Sequence, residues 1–522
     1  MKHEQELLGK KEKLNKLVLE GNLIKSLWII SFPIIVFNVF KTLFANVDTL
    51  FAVGSVNPKA IGSFIQFSKS IQVIIDSIGI CLGIVGVTLV TREIGRNKNV
   101  YTPKAHQIVS SVFVLLILVS FVVAFIMVIY AEPFCNNIMG LGKYILNNDL
   151  SHENKKKCIF AFRLKMLGVI LLAINVFFLG TERILRKIKK ILILNCIMMA
   201  LKIGLSFFIF YIMKQQNALG LEIASVLAHT SITLVAFGTL FNKNNPFCLK
   251  IKDFSCKSFL ANKQIIKTIL KFSIPLMLGK MIYEFGRLLT LWMIESNPQT
   301  PFCGFQGLGD GTLGKIGVAD GVVGLFAQIS FALKEGQLMI VSANLGNKNI
   351  KRAIKTLVIS CISVLLIFMI TYLICAPTKY YGLGLGEYIY LFFKNLGKTT
   401  KDTIIPEGFS EFLMGALLTT GLITTQLEIL SIFLIATKQP KYDLFLSFGR
   451  VFLFRIPFLY LLRAFVFLPE SNNEYYVYST ANFFSNLIMF LFMLFFCCRS
   501  IAKIKKNETN DILAKSAYKN NV

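Results

Sequence analysis

The chain has 522 residues, of which 55% are hydrophobic and only 16% are charged, and its mean hydropathy is +0.64. A soluble protein of this length would carry about 25% charged residues. One membrane-spanning helix needs about 20 apolar residues, and the apolar residues of this chain suffice for roughly a dozen such helices. The composition therefore excludes a soluble enzyme, a fibrous protein and a disordered chain, and it indicates a polytopic membrane protein.

Hydropathy along the chain predicts twelve membrane spans, six on each side of a polar segment. The spans lie near 27–53, 60–91, 107–130, 160–181, 191–213, 219–241, 265–295, 313–345, 353–376, 408–437, 442–468 and 476–500. The predicted fold is an all-α integral membrane protein whose twelve transmembrane helices form two pseudo-symmetric six-helix bundles around a central cavity. The corresponding parts are an amphipathic cytoplasmic segment at 1–26, an N-lobe at 27–241, a cytoplasmic linker at 242–264, a C-lobe at 265–500 and a cytoplasmic tail at 501–522.

The positive charges predict the orientation in the membrane. Lysine and arginine number 56 against 28 acidic residues, a net charge of +28. Connections after spans 2, 4, 6, 8 and 10 are rich in lysine and arginine, whereas those after spans 1, 5, 7 and 11 are nearly free of them. Since cytoplasmic loops concentrate these residues, we expect both termini in the cytoplasm and the protein in the inner (plasma) membrane. No basic stripe interleaved with aromatic residues lies outside the spans, so nucleic acid is not an expected partner.

The two halves of the sequence resemble each other. Span 1 opens with Ser31-Phe32-Pro33 and span 7 with Ser273-Ile274-Pro275. Span 2 ends in the sequence EIGRNKN at 93–99, and span 8 ends in NLGNKN at 344–349. Because each half has six spans, both copies start on the same side of the membrane. A parallel repeat of two helical bundles is typical of secondary transporters that work by alternating access.

Four elements in order make the sequence similar to the multidrug and toxic compound extrusion (MATE) family. They are Pro33 followed by NVDTLFAVG at 46–54, TREIG at 91–95, the segment from Gln337 through NLGNKNIKRA at 344–353, and ATKQPK at 436–441 followed by Arg450 and Pro457. Many members also have an asparagine in span 5 and an aspartate four residues later. Here Asn195 matches the first position, and Met199 stands at the second.

The resemblance implies an antiporter that exports lipophilic, mostly cationic organic compounds in exchange for protons or sodium. It implies no cofactor and a monomer whose partners are small organic substrates and the lipid bilayer. It assigns ion coupling to Asp48 and Asn195, and bound sodium would lie near Asp48. Glu284, nine residues after Pro275, lies one position beyond the coupling glutamate of some members.

Ionisable residues inside spans are costly and usually face a cavity or a partner. Span 1 places Asn38, Lys41 and Asp48 on one stripe. Seven residues separate Lys41 from Asp48, about 10.5 Å along a helix, which is too far for a direct bond. A carboxylate in a partly dry cavity is a site where protons and cations compete. We therefore expect Asp48 to be the coupling residue.

Other polar residues inside the spans are candidates for the same cavity. Span 2 repeats the pattern of span 1 with Gln66, Lys69 and Asp76, and Asp76 would either line the cavity or neutralise Lys41. In span 7, Glu284 would either couple ions or form a ladder with Lys280 and Arg287. The remaining predicted cavity residues are Gln328, Glu335, Thr424 and Glu428.

Two alternatives to drug export remain open at this stage. A flippase for lipid-linked oligosaccharide or cell-wall precursors would use intramembrane basic residues such as Lys41, Lys69, Lys202 and Lys280 to hold a pyrophosphate. A membrane-embedded enzyme would need a His/Asp or Ser/His constellation at a membrane face, and the sequence offers none. The eleven cysteines form no CxxC pair, so we expect packing roles and no metal site.

Overall fold

The structure is a computed structural model. It describes residues 19–53, 58–97, 102–137, 152–185, 187–213, 218–255, 261–295, 312–395, 405, 408–466 and 474–520. Within these ranges the regular structure is helical, without a strand. This agrees with the predicted all-α class.

In the first half of the chain, the described residues form six long helices and one short helix. They are α1 (Leu23–Val53), α2 (Pro58–Arg96), α3 (Pro103–Ile129), the short α4 (Ala131–Asn137), α5 (His152–Ile184), α6 (Ile188–Phe207) and α7 (Ala218–Leu240). A π-helical turn, Phe208–Ile212, extends α6, and a 3-10 turn, Ile251–Phe254, lies in the predicted linker.

In the second half, the described residues form a further nine helices, several of them joined end to end. They are α8 (Lys263–Glu295), α9 (Thr312–Gly346), α10 (Ile350–Cys375), α11 (Leu385–Asn395), α12 (Phe409–Ala416), α13 (Thr425–Ala436), α14 (Lys441–Phe448), α15 (Ile456–Leu461) and α16 (Glu474–Asn520). Helix α12 continues into α13 through a π-helical segment, Leu417–Thr424, and α14 continues into α15 through another, Gly449–Arg455. Each of the twelve predicted spans therefore falls on helix.

Hydropathy separates these helices into two groups. Nine helical stretches among the described residues are long and apolar enough to cross a membrane. Helix α1 contributes a shorter apolar stretch, Leu23–Val36. Helices α8 and α9 have 33 and 35 residues, which is long enough to span, but each carries several ionisable residues within its length. Polar residues on spanning helices are expected to face protein or an aqueous cavity.

The chain divides into two compact units by its internal contacts. The N-terminal unit comprises 32–90 and 101–285, and the C-terminal unit comprises 1–31, 91–100 and 286–522. This division assigns most of α8 to the N-terminal unit, and the end of α2 to the C-terminal unit. The lobe boundaries drawn from the sequence repeat, 27–241 and 265–500, stay a prediction.

Each unit has its own apolar core. In the N-terminal unit α5 packs against α7 and α3, and Phe162 and Met166 are fully buried at the centre of this contact. In the C-terminal unit α9 packs against α10, α12 and α13, with Phe409 and Leu413 fully buried. These cores fix the helices that carry the polar residues described below.

The structure adds two helical features that the hydropathy pattern does not contain. Helix α11 is an amphipathic helix that follows α10 outside the predicted spans. Helix α16 runs on to Asn520, although the sequence places the end of the last span at residue 500. Its final part is rich in lysine and asparagine, so it gives no hydropathy signal.

The repeated EIGRNKN and NLGNKN segments meet inside the C-terminal unit. A Cβ atom on Gly95 would overlap the carbonyl oxygen of Ala343, and a Cβ atom on Gly346 would overlap that of Arg92. The last turns of α2 and α9 therefore approach each other backbone to backbone. Small residues permit this distance between helices in membranes. The segment that is repeated in the two halves of the sequence thus forms a packing contact in the structure, in which Gly95 and Gly346 lie at the interface between α2 and α9.

We expect Gly346→Ala to lower the free energy of unfolding by roughly 1–3 kcal/mol, because the methyl group cannot be accommodated without moving a helix. Thermal unfolding of the purified protein in detergent measures this loss. Gly238→Ala on α7 is the matched control, since no neighbouring side chain or helix among the described residues comes within 4 Å of the place that its new methyl group would take. Equal melting temperatures for the two variants would contradict the close contact.

Candidate functional site

A buried ion pair joins α5 to α7 in the N-terminal unit. Lys165 Nζ on α5 lies 2.6 Å from Glu222 Oε1 on α7 and donates a hydrogen bond to Ser68 Oγ on α2 at 3.0 Å. The side chains of Lys165 and Glu222 are only 7% and 13% exposed. Desolvating two charges is costly, and the cost is offset only by close pairing with further hydrogen bonds. The cluster therefore fixes three helices in one register.

Asn195, predicted as an ion-coupling residue, lies on α6 and is 4% exposed. Neither its side-chain nitrogen nor its oxygen has a hydrogen-bond partner among the described residues. Met199, one turn later, is also buried. A buried amide without partners is destabilising unless water or a ligand binds it. Asn195 is therefore a candidate ligand for an ion or for ordered water.

A satisfied asparagine in the same unit provides a contrast. Asn175 on α5 donates to the carbonyl oxygen of His229 at 3.0 Å and accepts from Thr233 Oγ1 at 3.0 Å. Both partners lie on α7, so the amide links two helices through the hydrogen bonds that such residues commonly form in membranes. Asn175 thus has a structural role that Asn195 lacks.

The predicted cytoplasmic end of α5 holds a fully buried carboxylate. Glu182 is 0% exposed, and its Oε2 lies 3.6 Å from Lys187 Nζ and 3.4 Å from Lys190 Nζ. Lys190 Nζ also donates to Thr239 Oγ1 on α7 at 2.9 Å. Part of the positive charge that predicted a cytoplasmic loop is therefore used to neutralise this glutamate.

The C-terminal unit contains a polar cavity around Asp320 on α9, which is not among the residues predicted from the sequence. Asp320 is half-buried and interacts electrostatically with Arg287 on α8 and with Arg455 in the π-helical segment before α15. The cavity is small, with room for about one water molecule, and its polar lining consists of Asp320, Thr419, Tyr478, Ser479 and Asn482. The sequence does contain a signal for Asp320, since it is an acidic residue within a run of glycine and apolar residues.

Arg455 is a deeply buried cation of this group. It is 2% exposed, and its Nε has no hydrogen-bond partner among the described residues. A guanidinium group in such a place holds five donors in a fixed geometry that suits carboxylate or phosphate. Arg455 and Asp320 together therefore form a buried charged pair, of which Asp320 borders the small cavity.

A second ion pair of the C-terminal unit joins α9 to α13. Lys334 Nζ lies 2.6 Å from Glu428 Oε2, and the two side chains are 20% and 32% exposed. Lys334 Nζ also lies 5.2 Å from the centre of the Phe331 ring, which is close enough for a cation–π contact. Next to this pair, the buried Gln337 donates to the carbonyl oxygen of Ile429 at 3.2 Å. Glu428, predicted to line a cavity, thus has a lysine partner.

The π-helical segments position two further polar contacts. Arg450 donates to Thr424 Oγ1 at 2.8 Å, and both residues belong to π-helical segments. Ser431 donates to Asp443 Oδ1, which links α13 to α14. Such wide turns frequently accompany functional sites. Thr424 is the last residue of its π-helical segment, and Glu428 lies one turn later on α13.

The other predicted site residues fall into two groups, according to whether the structure describes their side chains. Asp76, Glu284, Asn38, Gln328 and Glu335 are half-buried on their helices. The side chains of Asp48, Lys41, Gln66 and Lys69 lie outside the part of the molecule that the structure describes, although their backbones are helical. The assignment of these residues to ion coupling or to a cavity stays a prediction.

The cysteines of the described ranges are free thiols. Burial raises the pKa of Cys135 on α4 to about 12, so this thiol is protonated at neutral pH. No group of three or more metal-ligating side chains occurs among the described residues. Cys135 packs in the apolar core of the N-terminal unit, as expected for a buried cysteine.

Comparisons with known proteins identify the fold. No family model matches the sequence, and no curated protein matches it. Solved structures do match. A crystal structure of MATE in complex with MaL6 has a TM-score of 0.73 and 15% identity, and the match covers 94% of this chain and 99% of that chain.

Two further structures give the same result. An outward-facing multidrug resistance MATE family transporter of the MOP superfamily matches with a TM-score of 0.72 and 14% identity, over 93% of this chain and 98% of that chain. A MOP superfamily transporter from Pyrococcus furiosus matches with a TM-score of 0.73 and 14% identity, over 94% and 98%. For that protein, a reversed polarity of the binding pocket suggests a different function. The chain has the fold of the MATE transporters.

We expect Glu222→Gln to destabilise the protein by about 3–5 kcal/mol, because it leaves the Lys165 ammonium buried without its anion. Replacing both residues by methionine removes the uncompensated charge and should recover most of that loss. Thermal unfolding in detergent measures both effects.

Glu153→Gln is the control, since it breaks the surface pair of Glu153 and Lys157, in which the glutamate side chain is 77% exposed. We expect no measurable change for this variant. A double methionine variant as unstable as Glu222→Gln would show that Lys165 and Glu222 do not act as a pair.

Proposed function

We propose that this protein is a secondary active antiporter that exports lipophilic, mostly cationic organic compounds in exchange for protons or sodium. The shared fold of the MATE transporters supports transport by alternating access. The sequence elements around Pro33, Asp48 and Gln337 support the same class. Its proposed place is the inner membrane, as a monomer with both termini in the cytoplasm.

The observation that carries ion coupling is the amide of Asn195, which has no hydrogen-bond partner among the described residues. Its carbonyl oxygen is buried on α6, and an amide oxygen is a suitable ligand for sodium or for a water that carries a proton. The resemblance pairs this residue with Asp48 on α1. A carboxylate and an amide would together exchange a coupling ion against a cationic substrate.

Coupling requires that the ion and the substrate favour different states of the transporter. In our proposal, ion binding at Asp48 and Asn195 favours release of the substrate, and loss of the ion restores its binding. Asp320 is a less suitable site for a metal cation, because a cation entering its cavity would have to compete with Arg287 and Arg455.

A flippase for lipid-linked pyrophosphates is the second candidate, and Arg455 favours it. A buried guanidinium group whose Nε lacks a partner among the described residues suits an anionic group such as a phosphate. The pairing of Lys165 with Glu222 and of Lys334 with Glu428 favours the cation exporter, because glutamates already neutralise these two buried lysines.

We expect Asn195→Leu to reduce ion-coupled export of a cationic dye at least tenfold while leaving the melting temperature unchanged or raised. Removing a buried amide that has no partner costs no hydrogen bond, so only a role in binding makes the change harmful. Proteoliposomes with separately imposed sodium and proton gradients measure the transport. Asp48→Asn should abolish coupling under whichever gradient drives it.

Asn175→Leu is the matched control, since it removes a buried asparagine whose partners are known and should lower stability. Undiminished dye export by both Asn195→Leu and Asp48→Asn would refute the antiporter. Arg455→Gln separates the two candidate functions. It should leave dye export intact if the protein is a cation exporter, and it should stop movement of a fluorescent lipid pyrophosphate if the protein is a flippase.

A further inference from the structure

A second cavity lies in the C-terminal unit at the start of α10. It is an open cleft of about 670 Å³ between residues 19–24 and the first turns of α10. Its α10 side contains Lys351, Arg352 and Lys355, and its other side contains Glu20 and Asn22. The distribution of lysine and arginine in the sequence assigns this end of the helices to the cytoplasm.

The charges of this cleft do not cancel. Arg352 donates to the carbonyl oxygen of Gly21 at 2.5 Å and interacts electrostatically with Glu20, so its position is fixed by the chain. Lys351 and Lys355 are exposed and stand four residues apart, on one face of the helix. Neither lysine forms an ion pair with any residue in the described ranges. Three cations and one anion leave two positive charges in the cleft.

The first turn of α10 adds to this positive potential. Asn349 caps the helix by accepting a hydrogen bond from the backbone N–H of Arg352 at 3.1 Å. The start of a helix carries a partial positive charge, which favours an anion. An anion held between Lys351 and Lys355 would therefore lie one turn from this helix end. The cleft is suited to a phosphate group.

An apolar row begins one turn beyond Lys355 on the same helix. Val358, Ile362, Leu366 and Ile370 are spaced by four residues and are 51%, 53%, 59% and 58% exposed. The row extends about 18 Å along the helix, and half of a bilayer core is about 15 Å thick. A chain of methylene groups lying on this row would leave its polar end at Lys351 and Lys355.

We propose that the cleft binds the headgroup of an anionic phospholipid, with the phosphate on Lys351 and Lys355 and the acyl chains along Val358, Ile362, Leu366 and Ile370. Basic pockets between helices on the cytoplasmic side are suited to acidic lipid headgroups. The apolar row favours a lipid over a free phosphate compound, because a soluble ligand would use only the cleft. The bound lipid would connect the segment 19–24 to α10.

The full-length protein, purified in detergent, provides the test. We expect phosphatidylglycerol to raise the melting temperature of the unmodified protein, and phosphatidylcholine, which has no net charge, to raise it much less. Lys351→Gln/Lys355→Gln should weaken the apparent affinity for phosphatidylglycerol at least tenfold. Arg352 is left unchanged in this variant, because it holds the chain at Gly21.

Lys263→Gln/Lys267→Gln is the matched control. These lysines are also exposed, four residues apart, and located in the first turns of a long helix, α8. This variant should bind phosphatidylglycerol like the unmodified protein. Equal weakening in both variants would overturn the proposal, since it would indicate attraction by net charge alone. Stabilisation by glycerol 3-phosphate equal to that by the lipid would also overturn it, in favour of a soluble phosphate ligand.

Discussion

The need to compensate every charge inside the membrane determines much of this structure. Lys165 is held by Glu222, Lys334 by Glu428, and Asp320 lies near two arginines. Each of these contacts joins different helices, so the charges that would oppose insertion instead specify which helices pack together. The apolar cores of the two units provide the buried surface between helices, and the charged contacts fix how the helices are aligned along one another.

The fold could be predicted from the sequence because its determinants are periodic and local. Long apolar runs mark helices wherever hydrocarbon surrounds them, and all twelve predicted spans coincide with helix. The repeat was also visible, and it proved to mark a physical contact, since Gly95 and Gly346 lie where the two copies meet. The extension of α16 to Asn520 was not predictable, because a polar helix has no hydropathy signature.

The candidate site was predictable only in its residue types. Polar residues inside spans were recognised, but a sequence does not state which acid faces which base. Glu428 was expected to line a cavity and has Lys334 as partner, while Asp320 and Lys165 were passed over. Asn195 and Asn175 differ in their surroundings: Asn175 has two hydrogen-bond partners on α7, whereas Asn195 has none among the described residues.

The π-helical segment between α12 and α13 has a geometric consequence for these contacts. One additional residue in a helix rotates everything after it by about 100°. Helix α12, the π-helical segment and α13 form one continuous helix that meets α9 at two positions. Phe412 and Thr419 border the cavity beside Asp320, and Glu428 forms its ion pair with Lys334. Deleting a single residue there would turn the Glu428 carboxylate away from its lysine without shortening the hydrophobic length appreciably. The backbone of this continuous helix thus sets the angle between the side chains that face Asp320 and the side chain that faces Lys334.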